Sequence, residues 1–111
     1  MNSLENDKRT RMRLKQEFVV GIKTDEGTRI AYLIDVSRDG VKVGTPVSSF
    51  HLEMPVEIVI DNRGERLLFK GRVERNDGTH YIDRIHSTAN AIFIKIDDDR
   101  FPNFVNDHYY I

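Results

Sequence analysis

A chain of 111 residues has room for one domain. Charged residues make up 32% and hydrophobic ones 39%, and 17 Lys and Arg against 18 Asp and Glu leave a formal charge of -1, which argues against a uniformly basic nucleic-acid binder and against a disordered acidic tail. The absence of cysteine excludes a disulfide scaffold and thiol chemistry, and without an apolar run of roughly 18–20 residues or a secretory h-region the expectation is a cytoplasmic protein with no membrane insertion.

Met1 to Gln16 is polar and crowds Lys8, Arg9, Arg11, Arg13 and Lys15 together, with too poor an apolar spacing for a helical stripe. It is expected to be a flexible basic arm when unliganded. From Phe18 the texture becomes β. Phe18, Val19, Val20 and Ile22 form one run, closed by Asp25-Glu26-Gly27. Ile30 to Val36 is a second, broken by Ser37-Arg38-Asp39-Gly40, and Val41 and Val43 alternate in a short third. Met54, Val56, Ile58 and Ile60 alternate strictly, and Asp61-Asn62-Arg63-Gly64 turns into Leu67, Phe69 and Val73. Asn76-Asp77-Gly78 reads as a hairpin leading to Tyr81 and Ile82, and Ile92, Ile94 and Ile96 form the last strand. Six or seven short strands with turn signals about every 8–12 residues predict an all-β protein. In so short a chain, edges are best managed by closing the sheet, so the expected architecture is a small antiparallel barrel. The expected organisation is an arm over 1–16, a barrel over 17–97 and a tail or short helix over 98–111 that covers one barrel end.

Catalysis and metal binding find little support. His51, His80, His86 and His108 are scattered, none in a nucleophile motif or at ligand spacing, so no enzymatic activity is expected. Asp97-Asp98-Asp99 lacks the glycine and distal glutamate of a calcium loop and reads as a solvated strand end capping a helical turn. The arm and the turn after the second strand are different. Arg9 and Arg13 offer two planar forks that suit phosphate or the O6/N7 edge of guanine. Asp35 can accept from guanine N1–H and N2–H, with the Ser37 hydroxyl beside it. Gly40 is expected to supply a positive φ and to let a ligand approach the backbone. Two arginines four apart usually mean a solvated basic face, and Asp-x-Ser-x-x-Gly is most often an ordinary turn. Their conjunction at a strand boundary suits an anionic guanine nucleotide, and an arm that orders on binding would turn ligand into a shape signal.

At these residues the sequence resembles the PilZ domain, the bacterial receptor module for cyclic di-GMP. Arg9-Thr10-Arg11-Met12-Arg13 matches its Arg-x-x-x-Arg pattern, and Asp35-Val36-Ser37-Arg38-Asp39-Gly40 its Asp/Asn-x-Ser-x-x-Gly pattern. Tyr32-Leu33-Ile34, Val41-Lys42-Val43 and Ala91-Ile92-Phe93-Ile94 fit the hydrophobic frame, so the likeness spans about residues 8 to 97. It implies a six-stranded antiparallel β-barrel, often followed by a C-terminal helix, without enzymatic activity. It further implies that Arg9 and Arg13 hold phosphates and guanine Hoogsteen edges, that Asp35 and Ser37 hold the guanine facing the barrel, and that Gly40 shapes the turn. Lys8 lies where family members influence whether one or two ligand molecules bind. Arg11 and Arg38 are candidates for peripheral phosphate contacts, and Arg72 or Arg75 for stacking through its guanidinium plane, each otherwise a solvated surface charge. Two departures are Ala91, where family members often have glycine, and the lack of an aromatic for base stacking near Arg72 to Arg75.

The resulting expectation is a cyclic di-GMP effector that changes arm conformation and signals to a protein partner through a surface including the aromatic tail. A barrel that keeps the fold as an interaction module without nucleotide is the first rival. A barrel binding RNA or single-stranded DNA is the second, and it would want aromatic platforms interleaved with basic residues. The near-neutral charge ranks it last and argues against any long nucleic acid.

Overall fold

The computed structural model describes residues 19–46, 50–62 and 64–109, without the side chains of Asn62, Arg84 and Tyr109. Six strands follow in order: β1 (Val19–Thr24), β2 (Gly27–Val36), β3 (Gly40–Thr45), β4 (Pro55–Asn62), β5 (Glu65–Ile82) and β6 (Ser87–Ile96). They close into a barrel in the order β1-β2-β3-β6-β5-β4, with β4 paired back to β1. Every pairing is antiparallel. Alternation explains the closure: Val20, Ile22, Leu33, Val41, Val43, Val56, Ile58, Ile60, Val73, Ile92, Ile94 and Ile96 all turn inward and are buried. A barrel this narrow is filled by side chains rather than hollow.

The turns follow their local chemistry. Gly27 (φ 117°) and Gly64 (φ 85°) take the left-handed backbone that the predicted turns before β2 and β5 require. One predicted turn is overturned. Asn76-Asp77-Gly78 is no hairpin but part of the 18-residue β5, where the register against β6 shifts between Asn76 and Gly78. Gly78 is indeed left-handed (φ 83°), and its N–H donates to Asn76 Oδ1 at 2.9 Å, but this chemistry serves a β-bulge. The chain reverses later, through a single 3-10 turn at Asp83–Ile85 closed by His86 at φ 51°.

After β6 the chain enters helix α1 (Phe101–Tyr109). The Asp98 carboxylate accepts from the Arg100 backbone N–H at 3.0 Å, and the Arg100 guanidinium returns to Asp98 Oδ2 at 2.7 Å and to the Leu68 carbonyl at 2.9 Å. Asp97 pairs with Arg72 at 2.6 Å. The aspartate run therefore caps the helix entry as expected, and its ion pairs anchor that entry to the barrel as well. Phe101, Phe104, Val105 and His108 fall on one helical face. The Phe69 ring meets Phe101 edge-on at 5.1 Å and Phe104 at 5.2 Å, and His108 stacks on Phe104 at 4.4 Å. Phe101, Phe104 and Val105 are buried, each worth about 1.5–3 kcal/mol against an exposed position. That burial fastens the helix to the barrel and narrows one expectation: these three tail residues belong to the core and offer no surface to a partner. Tyr110 and Ile111 lie outside the described residues. Among the described residues no helix is long and apolar enough to cross a membrane.

Candidate functional site

Ser37-Arg38-Asp39-Gly40 is the tight connection between β2 and β3. Ser37 N–H donates to the Gly40 carbonyl at 2.9 Å, and Gly40 N–H donates back to the Ser37 carbonyl at 3.3 Å. The Ser37 hydroxyl adds to the turn, accepting from Asp39 N–H at 3.2 Å. Gly40 does not have the positive φ expected of it. It pairs with Lys95 of β6, and a Cβ there would collide with the Ile94 carbonyl oxygen and lie 2.9 Å from Phe93 Cζ. Glycine is needed because β3 runs close against β6. Arg38 turns away from the turn, its Nε donating to Asn106 Oδ1 at 3.0 Å, and so ties the turn to α1.

Irregularities in two strands decide which side chains share the outer face. On β2 the register against β3 shifts between Leu33 and Asp35, leaving Ile34 as the extra residue. Period-two alternation alone would put Asp35 inside with Leu33; the bulge sends it outward, opposite Lys42. On β5 the register shifts between Val73 and Arg75, and Arg75 likewise leaves the side of the buried Val73 to stand opposite Phe93. Since Lys42 also pairs with Phe93, four strands present one cross-strand row: Asp35, Lys42, Phe93, Arg75.

The row is electrostatically organised. The Arg75 guanidinium lies over the Phe93 ring, 4.7 Å from its centroid. Arg75 Nε donates to Asp77 Oδ1 at 3.1 Å, and Lys42 Nζ reaches Asp77 Oδ2 at 3.0 Å. Hydrogen bonds from Arg75 and then Lys42 hold the Asp77 carboxyl below its ordinary pKa. Asp35 Oδ1 accepts from Val36 N–H at 2.9 Å, which fixes the carboxylate against the strand. The face thus offers the anchored Asp35 carboxylate, a hydroxyl at the turn, two cations clasped by the Asp77 carboxylate and an aromatic ring. It suits a planar polar ring that carries anionic substituents.

Of the residues singled out in the sequence, Asp35, Ser37, Gly40 and Arg75 come together around β2, β3, β6 and β5. Arg38 stands at the edge of this group, bound to Asn106. Lys8, Arg9, Arg11 and Arg13 lie outside the described residues. Lys42, Phe93 and Asp77 escaped the sequence reading. Phe93 breaks the alternation of Ile92, Ile94 and Ile96 as an outward aromatic, and it stands across from Arg75, near which no aromatic is found in sequence. Ala91, two residues before Phe93 on the same face, is buried between Gly44 and Gly78 on the flanking strands, where a small side chain fits. Among the described residues no group of three or more His, Cys, Asp or Glu stands close enough to hold a metal ion.

Comparison with curated proteins found no match. The family model described as the PilZ domain matches residues 7–97, a span that holds the whole barrel, the Asp35–Gly40 segment and the arm's arginine pair. The chain belongs to the PilZ domain family.

Proposed function

We propose that the protein is a receptor for cyclic di-GMP that signals by rearranging its N-terminal arm and is then bound by a protein partner. The observation that carries this is the meeting of Asp35 and the Ser37–Gly40 turn with Lys42, Phe93 and Arg75 on one outer face. Asp35 would accept from guanine N1–H and N2–H beside the Ser37 hydroxyl. Arg9 and Arg13 would hold phosphate oxygens and Hoogsteen edges, with Arg11, Arg38 and Arg75 at the periphery and Lys8 bearing on whether one or two ligands bind. Strand polarity supports it. Val19 begins β1 opposite Tyr32, three residues before Asp35 on β2, so the chain enters β1 from the barrel end that bears Asp35 and the turn. Arg13 is six residues from Val19 and Arg9 ten, separations an extended chain spans within about 20 and 35 Å. A net charge of -1 is no obstacle, because a ligand with two phosphates needs only a local cationic cluster.

Calorimetric titration with cyclic di-GMP, with the mass of the complex measured, tests this. Asp35→Ala and the double variant Arg9→Ala, Arg13→Ala should each weaken binding by about tenfold or more, since charge-assisted hydrogen bonds contribute about 1.5–3 kcal/mol each. Wild-type affinity in the double variant would sink the site assignment. A folded wild-type chain that gives no heat would favour an interaction module without nucleotide.

A further inference from the structure

Asp77 is the extra residue of the second β5 bulge, so its position is set by backbone geometry. Gly78 at φ 83° and the Gly78 N–H bond to Asn76 Oδ1 fix that geometry. From there one carboxylate oxygen meets Lys42 of β3 and the other meets Arg75 of β5. Lys42 thus reaches across the intervening β6 to a carboxylate that also holds Arg75 down on Phe93. An anion whose two oxygens bridge an ammonium and a guanidinium is what a phosphate diester would supply at the same place.

We propose that Asp77 is an internal counter-anion that occupies a peripheral phosphate position of the site, so that an incoming phosphate must displace it from Lys42 and Arg75. The inference rests on the cyclic di-GMP reading and deepens it by assigning a residue that sets the ligand threshold. Three consequences share one sign. The carboxylate repels an arriving phosphate, it keeps the two cations occupied, and it keeps the Phe93 ring covered by Arg75. Replacing the carboxylate with an amide of the same shape removes the repulsion and loosens the clasp without emptying the bulge. Asp77 is a competitor for the cations, not a group that touches the ligand.

The experiment is calorimetric titration of cyclic di-GMP into the full chain and into Asp77→Asn, repeated in a Lys42→Ala, Arg75→Ala background, with thermal melts to establish folding. Asp77→Asn should bind about three- to tenfold more tightly, the combined size of two partly exposed ion pairs that no longer have to be broken and one like charge removed. The gain should shrink to what direct repulsion alone supplies when Lys42 and Arg75 are absent, a dependence that a merely structural role for Asp77 would not produce. If the wild type binds and loses affinity in the Arg9, Arg13 double variant, but Asp77→Asn binds equally or more weakly, this inference fails and the receptor reading stands. If folded wild type and Asp77→Asn both give no heat, the receptor reading fails and the inference with it.

Discussion

Gly40→Ala isolates the reason for the glycine at the end of the Asp35–Gly40 segment. The new methyl would meet the Ile94 carbonyl oxygen, with Phe93 Cζ at 2.9 Å and the Ile94 carbonyl carbon at 3.1 Å. Two of these obstacles are backbone atoms of β6, so no rotamer change relieves them. A carbon–oxygen contact settles near about 3.3–3.6 Å, so β3 and β6 must part by on the order of 1 Å. That disturbs the Gly40↔Lys95 pairing and the 2.9 Å bond from Ile96 N–H to the Asp39 carbonyl. Overpacking against backbone belongs in the upper part of the usual range, about 2–3 kcal/mol, while alanine's smaller backbone entropy offsets about 0.5–1 kcal/mol. The net loss of about 1–2.5 kcal/mol corresponds to a fall in Tm of about 4–11 °C for a chain of this length. Calorimetric or circular-dichroism melts measure it, with Gly64→Asn as control. Gly64 is left-handed but has nothing within 4 Å of a Cβ, and asparagine tolerates that backbone, so the control should stay within about 2 °C of wild type. A Gly40→Ala melt equally close to wild type would refute the close-approach account.

Two further outcomes follow from the packing of α1 on the barrel. Phe104→Ala leaves a void between Phe69, Phe101 and His108, and urea unfolding should show a loss of about 3–4 kcal/mol; a loss below about 1 kcal/mol would mean that α1 is not part of the core. The Arg100 guanidinium beside Asp98 holds that carboxyl below its ordinary value of 3.8. A folded-state pKa lowered in this way contributes stability that is present above 3.8 and is lost as pH falls through the folded value. Asp98→Asn should therefore melt lower than wild type near neutral pH, with the gap closing below about pH 4, and a pH-independent gap would count against the pairing.

Much of the fold was legible along the chain. Strict alternation from Met54 to Ile60 and from Ile92 to Ile96 marks the inward faces, because a strand repeats every two residues. Asp25-Glu26-Gly27 and Asp61-Asn62-Arg63-Gly64 mark turns through glycines that accept left-handed backbone. The Asp-x-Ser-x-x-Gly segment, the pairing of Arg9 with Arg13 four positions on and the absence of cysteine are likewise plain along the chain. Asn76-Asp77-Gly78 is ambiguous in sequence because a hairpin and a bulge demand the same local chemistry, and only the continued pairing of Gly78 to Ile82 with β6 tells them apart.

The outer face of the site belongs to the tertiary structure. Counted by twos, Asp35 falls inside with Leu33 and Arg75 inside with Val73. It takes one extra residue in each ladder, Ile34 and Glu74, to bring both outward beside Lys42 and Phe93. Gly40 is a similar case, since the constraint on it comes from Ile94 and Phe93, more than fifty positions away. Composition, turn chemistry and periodicity are properties of one strand, and the sequence determined them by itself. Register and close approach are properties of two strands together, so which residues form the candidate site was decided only when the barrel closed.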